Sequence, residues 1–158
     1  MSGTVTFKDG STTIGNATVN SSNKATYTTS ALAAGSHTIT AAYSGSASDT
    51  ASSGTITQTV NKSATTTTLV SSLNPSTAGK LVTFTAHVVG AHGGSISGAV
   101  VFKSGTATLG SGTLSTATGK ASFSTSSLSK GSHSVSAAYQ GSANSNISAS
   151  SALTQVVN

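Results

Sequence analysis

The sequence predicts an all-β protein made of antiparallel two-sheet sandwiches, and three observations support this prediction. Apolar and polar residues alternate with a period of two, as in Leu81-Val-Thr-Phe-Thr-Ala-His-Val-Val89, whereas helical periodicity is absent. Ser and Thr occupy 61 of the 158 positions, and β-branched Thr suits the outer face of a pleated strand. Gly and Asn interrupt the runs at intervals typical of turns, so the strands are expected to be short.

Residues 62–158 are predicted to hold the strands of one complete sandwich. In chain order these are A near 65–71, B near 81–89, C near 99–103, two C′ or D pieces near 107–109 and 112–115, E near 120–124, F near 133–139 and G near 152–157. The alternation of Val135, Ala137 and Tyr139 with polar residues defines F, and Asn74-Pro75 marks a turn between A and B. Seven short strands with one buried face each form a sandwich of about 100 residues.

An internal repeat organises the chain, because residues 3–61 can be aligned with residues 98–158. The matching segments are Gly3-Thr-Val-Thr-Phe-Lys with Gly98-Ala-Val-Val-Phe-Lys, Ser30-Ala-Leu-Ala-Ala-Gly-Ser-His37 with Ser126-Ser-Leu-Ser-Lys-Gly-Ser-His133, Ala41-Ala-Tyr-Ser-Gly-Ser46 with Ala137-Ala-Tyr-Gln-Gly-Ser142, and Thr57-Gln-Thr-Val-Asn61 with Thr154-Gln-Val-Val-Asn158. A period this long corresponds to a small sandwich and not to a solenoid repeat.

The repeat predicts two domains of unequal completeness. Residues 62–158 form a complete repeat, whereas residues 1–61 form a partial repeat with strands C to G that lacks A and B. We interpret the chain as an excerpt from a longer tandem array, with a signal peptide upstream. The missing strands are then expected from an upstream segment or from another molecule, because a half-sandwich leaves apolar side chains wet.

The composition excludes most catalytic chemistry. The chain has no Cys, Arg or Glu, and residues 62–158 also lack Asp. Thiolate metal sites, disulfides, paired-carboxylate hydrolysis and a Ser–His–Asp triad are therefore excluded in the complete repeat. Asp9, followed by Gly10, is predicted to lie in a hairpin turn and Asp49 in a loop. We expect no catalytic residue, no metal ligand and no cofactor, and hence a protein that is not an enzyme.

Five separated motifs occur in the same order in both copies. They are Gly-x-Val-x-Phe-Lys-x-Gly, an apolar-Gly pair at Ile14-Gly15 and Leu109-Gly110, Leu-x-x-Gly-x-His-x-(Ile/Val), Ala-x-Tyr-x-Gly, and a closing (Ile/Leu)-Thr-Gln-x-Val. Together they resemble the bacterial Ig-like repeat family. The resemblance implies tandem immunoglobulin-like sandwiches in exported or surface proteins, where such arrays act as stalks, spacers or adhesins. Family members often carry an acid after Tyr-x-Gly, but Ser46 and Ser142 stand there, which does not support cation binding.

Histidines and glycines supply the candidate site residues. His37 and His133 occupy one repeat position at the turn from E into F, where immunoglobulin folds often place a Tyr that bonds back to the backbone. An imidazole can make the same bond, so we interpret both as structural corner residues. His92, Gly93 and Gly94 lie in a Gly-rich stretch between B and C, and we predict a flexible loop that could contact a ligand.

Two functions remain open from the sequence. The first is a non-catalytic extracellular structural or adhesive module of a bacterial surface protein, a stalk, spacer or filament segment. The second is a carbohydrate-binding accessory module of a secreted hydrolase, which usually needs several exposed aromatic residues, whereas this chain has three Tyr and no Trp. Scarcity of aromatic residues favours the first.

The expected partners follow from charge and hydropathy. Neighbouring Ig-like repeats, in cis or in a head-to-tail assembly, are the first candidates, and surface polysaccharide is a further one. Dispersed Lys without Arg, at a net charge of +5, argues against nucleic acid. The absence of a long apolar run argues against membrane insertion in this segment. We expect an extracellular or cell-surface location.

Overall fold

The computed structural model describes residues 2–158 and divides the chain into two compact units. Unit 1 extends to Asn61 and unit 2 comprises Lys62–Asn158. Every regular element in the described residues is a strand, and all strands pair antiparallel, which confirms the all-β antiparallel prediction. No helix in residues 2–158 is long and apolar enough to cross a membrane.

Unit 2 is a sandwich of two sheets. Its strands are β5 (Thr65–Ser71), β6 (Val82–Gly90), β7 (Ala99–Ser104), β8 (Ala107–Thr113), β9 (Lys120–Thr125), β10 (Gly131–Tyr139), β11 (Ser148–Ala149) and β12 (Leu153–Val157). One sheet has the order β5-β6-β9, corresponding to A-B-E. The other has the path β11-β10-β7-β8, with β12 also paired to β10, so that G, F, C and C′ lie side by side.

The core of unit 2 lies between these two sheets. Strand β6 contributes Val82, Phe84, Ala86 and Val88 from one layer, each at most 2% exposed. The opposite layer contributes a matching set, Val100, Phe102, Val135, Ala137 and Tyr139. The period-two alternation places all of these side chains on inner faces, as expected for a sandwich.

Unit 1 forms a single four-stranded sheet. Its strands are β1 (Thr4–Asp9), β2 (Thr12–Thr18), β3 (Gly35–Tyr43) and β4 (Ser52–Val60), in the order β2-β1-β3-β4. This sheet corresponds to C′-C-F-G of unit 2. Within residues 2–61, no second sheet is formed and no side chain reaches the buried state of the unit 2 core.

Two details of the predicted strands are wrong. The two pieces near 107–109 and 112–115 are one strand, β8, because a two-residue turn after Ser104 returns the chain directly alongside β7. In unit 1, strand E does not form, and residues 24–29 pair with no strand of the sheet. In unit 2, the equivalent β9 pairs with β6, which is strand B. Without a strand B, the E segment of unit 1 has no ladder partner within residues 2–61.

The two copies share fine backbone geometry. The C–C′ ladder shifts register after Phe7 in unit 1 and after Phe102 in unit 2. Asp9 ends β1, and Gly10 occupies the hairpin turn with φ of 56°, as Gly105 does with φ of 57°. The predicted hairpin turn at Asp9-Gly10 is therefore confirmed, and the repeat holds at the level of individual dihedral angles.

The apolar-Gly pair of the sequence motif has a packing reason. The ring of Phe123 stacks on Phe102 at a centroid distance of 5.9 Å. A Cβ added to Gly110 would lie 2.2 Å from Cε2 of Phe123, so only Gly lets the ring approach β8. Gly15 has the same relation to Tyr27, whose ring stacks on Phe7 at 5.6 Å.

Candidate functional site

The corner histidine of unit 2 caps the loop that leads into β10. Nε2 of His133 lies 2.8 Å from the carbonyl oxygen of Ser129, four residues earlier. The side chain is half-buried at the edge of the sheet. This is the backbone contact that the sequence motif predicts for the corner, and its contribution to stability stays a prediction.

The corner histidine of unit 1 has two partners. Nε2 of His37 lies 2.9 Å from the carbonyl oxygen of Ala33, and Nδ1 lies 2.6 Å from Oδ2 of Asp9. Both partners are acceptors, and only the doubly protonated imidazolium can donate to both. The hydrogen bond to Ala33 and then the bond to the Asp9 carboxylate raise the pKa of His37 above its ordinary value.

The glycine-rich loop between β6 and β7 lines a shallow recess in unit 2. Gly93 and Gly94 face residues 116–119 across a space of about 340 Å³, and both adopt positive φ. His92 is exposed in the same loop and does not line this recess. His87, which does line it, projects from β6, so the structure places the two histidines of this region in different surroundings. The side chains of His87, Ile96 and Thr116 line the recess together with the glycines.

The carboxylates of the chain are engaged locally. Asp9 contacts His37 as described, and Oδ2 of Asp49 accepts a hydrogen bond from Oγ of Ser46 at 2.7 Å within the loop after β3. Among residues 2–158, no group of three His, Cys, Asp or Glu side chains lies close enough together to hold a metal ion.

A glutamine that the site prediction did not include organises the closure of unit 2. Gln155 is fully buried on β12; its Oε1 accepts a hydrogen bond from Oγ of Ser71 at 2.7 Å. Its Nε2 donates to the carbonyl oxygen of Leu73 at 2.9 Å and approaches Oγ of Ser76 at 3.3 Å. These bonds tie the chain that leaves β5 to strand G. The sequence signal was the motif position that both copies share, Thr-Gln-x-Val.

The inner face of the unit 1 sheet is open where that of unit 2 is covered. A recess of about 560 Å³ lies over it, lined by Phe7, Ile14, Tyr27, Leu32, Ile39 and Ile56. Ile56 is 65% exposed, and Gln58, the counterpart of Gln155, is exposed with Nε2 bonded to the adjacent carbonyl of Thr59. The sequence predicted this opening from the missing A and B strands.

The sheet order of unit 2, the F-strand corner and the C–C′ hairpin define an immunoglobulin-like β-sandwich. The chain belongs to the bacterial Ig-like domain family, group 3, whose sequence profile matches residues 1–61 and 68–158. Members of this family are typically non-catalytic and often occur in extracellular or surface proteins. A search of curated proteins and a search of solved structures each return no match.

Proposed function

We propose that the chain is a non-catalytic structural and adhesive module of an extracellular bacterial surface protein, serving as a stalk, spacer or filament segment. The observation that carries the proposal is the tandem occurrence of one Ig-like repeat, matched twice by the family profile. A repeated sandwich adds length without adding a reaction site, and its Ser- and Thr-covered surface suits a solvated spacer.

The contacts of the histidine and aspartate side chains support this assignment. Both corner histidines contact backbone carbonyls, and both aspartates contact neighbouring side chains. None of these four groups lines the recess beside Gly93 and Gly94. In the proposed role these residues hold loops and corners in place, and the partners of the module are neighbouring Ig-like repeats in cis.

The location is tested on the bacterium that encodes the chain. Antibodies raised against residues 62–158 should label intact, unpermeabilised cells or the culture fluid, with a cytoplasmic enzyme as the negative control. Brief protease treatment of intact cells should remove the cell-bound signal. Labelling that appears only after lysis would contradict an extracellular role.

A carbohydrate-binding accessory module is the second candidate, and the burial of aromatic side chains weighs against it. Phe84, Phe102 and Tyr139 are at most 1% exposed, so they offer no platform for a sugar ring in unit 2. The dispersed Lys residues leave weak attraction to anionic surface polysaccharide as an additional property. Retention of the full chain on an insoluble neutral polysaccharide, unaffected by salt, would favour this candidate over the spacer.

A further inference from the structure

Two short parallel bridges join the beginning and the end of unit 2. One bridge pairs Ser63 with Ser145, in the loop between β10 and β11, and the other pairs Ser76 with Val157 at the end of β12. The ladders between the strands of residues 2–158 are all antiparallel, so these bridges stand apart from them. Because both bridges are parallel, the chain from Ser63 to Ser76 and the chain from Ser145 to Val157 run in the same direction along the sandwich.

The bridge at the end of β12 is part of a longer set of hydrogen bonds between residues 74–78 and residues 154–158, which we name the clamp. The amide of Ser76 donates to the carbonyl oxygen of Val156 at 2.9 Å, and the carbonyl oxygen of Ser76 accepts from the amide of Asn158 at 2.8 Å. A third backbone bond, 3.0 Å long, closes the far end of the clamp. The first and last strands of unit 2 are therefore tied together by parallel backbone bonds.

Asn74 extends the clamp with its side chain. Its Nδ2 donates to the carbonyl oxygen of Thr154 at 2.7 Å, and its Oδ1 accepts from the amide of Val156 at 2.9 Å. The side-chain amide thus makes the same pair of bonds that a backbone residue makes in a ladder. Beside it, Nε2 of Gln155 donates to the carbonyl oxygen of Leu73 at 2.9 Å. Side chains therefore continue the clamp beyond its backbone bonds.

The centre of the clamp is shielded from water. Ser76 and Val157 are each 4% exposed, and Gln155 is fully buried. A hydrogen bond that opens in such surroundings leaves its donor and acceptor without water to replace the lost partner. Burial therefore raises the cost of opening the clamp part of the way.

The first and last residues of unit 2 lie at opposite ends of the two bridged segments. Lys62 lies beside the loop between β10 and β11, where its Nζ donates to the carbonyl oxygen of Ser142 at 2.8 Å, whereas Asn158 lies in the clamp. Tension applied through the chain at Lys62 and Asn158 pulls the first strand and β12 past each other along their own axes. Hydrogen bonds between strands lie across this direction, so the bonds of the clamp must break together and not one after another.

We propose that unit 2 is a tension-resisting module in which the clamp opposes, by shear, a force applied along the chain. The use of this property rests on the proposed spacer function, since a stalk is stretched when its two ends are held by different bodies. The clamp itself belongs to unit 2 alone. Cell labelling tests the spacer function and pulling on the purified chain tests the clamp, so the failure of one is distinguishable from the failure of the other.

The first test compares two directions of pulling on the full chain with optical tweezers. The chain has no Cys, so pairs of Cys substitutions at exposed positions provide the handles. Asn61→Cys with Asn158→Cys loads the clamp in shear, whereas Lys130→Cys with Asn158→Cys peels β12 from β10, because Gly131 pairs with Val157. At the same constant force, we expect unit 2 to survive at least about tenfold longer in shear. Equal lifetimes, or a longer lifetime in the peeling direction, would overturn the proposal.

Two matched variants test whether the clamp is the element that resists the force. Asn74→Ala removes two bonds of the clamp and should shorten the lifetime of unit 2 in shear about tenfold. His133→Ala removes a bond from a side chain to the backbone outside the clamp, and it should leave that lifetime within about twofold of the parent. The amide NMR spectrum of unit 2 first establishes that each variant is folded. No shortening by Asn74→Ala, or equal shortening by both variants, would overturn the proposal.

Discussion

At the residue scale, a single sequence difference between the two copies gives the two corner histidines different surroundings. Asp9 at the end of β1 aligns with Ser104 at the end of β7, so the carboxylate beside His37 is replaced by a hydroxyl in unit 2. His37 faces two acceptors and favours the imidazolium, whereas a single carbonyl, that of Ser129, lies at Nε2 of His133. The histidine at this repeat position is therefore expected to respond to pH in unit 1.

Removing the carboxylate beside His37 should lower the pKa of this histidine. Asp9→Ser should return that pKa towards its ordinary value, since one of its two acceptors is lost. The ring resonances of His37, followed by NMR through a pH titration, measure the change. An unchanged midpoint for His37 in the variant would contradict the role given to Asp9.

The raised pKa of His37 also determines how the stability of unit 1 should change with pH. A group whose pKa is raised by folding stabilises the folded state fully below its unfolded pKa, and the effect is lost as pH rises through the folded pKa. Unit 1 should therefore lose more stability from Asp9→Ser at pH 5 than at pH 8. Hydrogen exchange of the β3 amides at the two pH values measures the difference, with unit 2 amides as the internal control.

His133→Ala should destabilise unit 2 by about 1 kcal/mol, because the Ser129 carbonyl loses its donor at a half-buried corner. Urea unfolding followed by NMR through the amide signals of unit 2 measures the change. Ser132→Ala, at an exposed position on the same strand, is the matched control and should stay within about 0.5 kcal/mol of the parent. Equal midpoints for both variants would show that the imidazole does not hold the corner.

At the element scale, strand G behaves differently in the two units although its sequence is nearly the same. In unit 2, β12 pairs with β10 and is covered by the chain beyond β5 through Gln155. In unit 1, β4 pairs with β3, and all but the last of its nine residues are exposed. The burial of strand G therefore depends on the chain packed against it more than on its own residues.

Substituting the equivalent glutamines of the two units tests this difference directly. Gln155→Ala should destabilise unit 2 by roughly 1–3 kcal/mol, since a fully buried side chain is removed and its part-buried hydrogen bonds with Ser71 and Leu73 are lost. Gln58→Ala should change the stability of unit 1 by less than about 0.5 kcal/mol, because Gln58 is exposed. Urea unfolding and amide exchange at Ser76 and Ala78 measure the effects. Equal costs at the two positions would contradict the closure role.

For the whole molecule, the same half-sandwich sequence occurs once with a covering layer and once without it. All thirteen buried apolar residues of the described chain belong to unit 2. Because apolar burial dominates stability, the free energy of unfolding should be distributed just as unevenly. The boundary between independently folding domains at residue 61 stays a prediction that this uneven distribution makes measurable.

Limited proteolysis of the full chain should therefore cut unit 1 first. Cleavage is expected within residues 20–34, where the segment between β2 and β3 has no ladder, and unit 2 should survive as a fragment that begins near Lys62. Simultaneous digestion of both units would contradict the predicted domain boundary.

The strands that carry strong alternation, the repeat and the family could all be predicted from the sequence, and the corner histidines were proposed from it. These features depend on local pattern, such as the period of two in β6 and β10 or the Gly that φ near 57° requires at the C–C′ turns. Asp9-Gly10 was predicted as a turn for the same reason. Pattern also revealed which strands the first copy lacks.

Whether a predicted strand pairs with a neighbouring strand, and whether a polar residue is buried, depends on the three-dimensional packing of the chain. Residues 24–29 and β9 have similar alternation, but a strand needs a neighbour for its backbone hydrogen bonds, and only β9 has one in β6. Gln58 and Gln155 occupy the same motif, yet only Gln155 is buried, because the chain that leaves β5 covers it. Both outcomes depend on contacts between residues distant in sequence, which a local pattern does not contain.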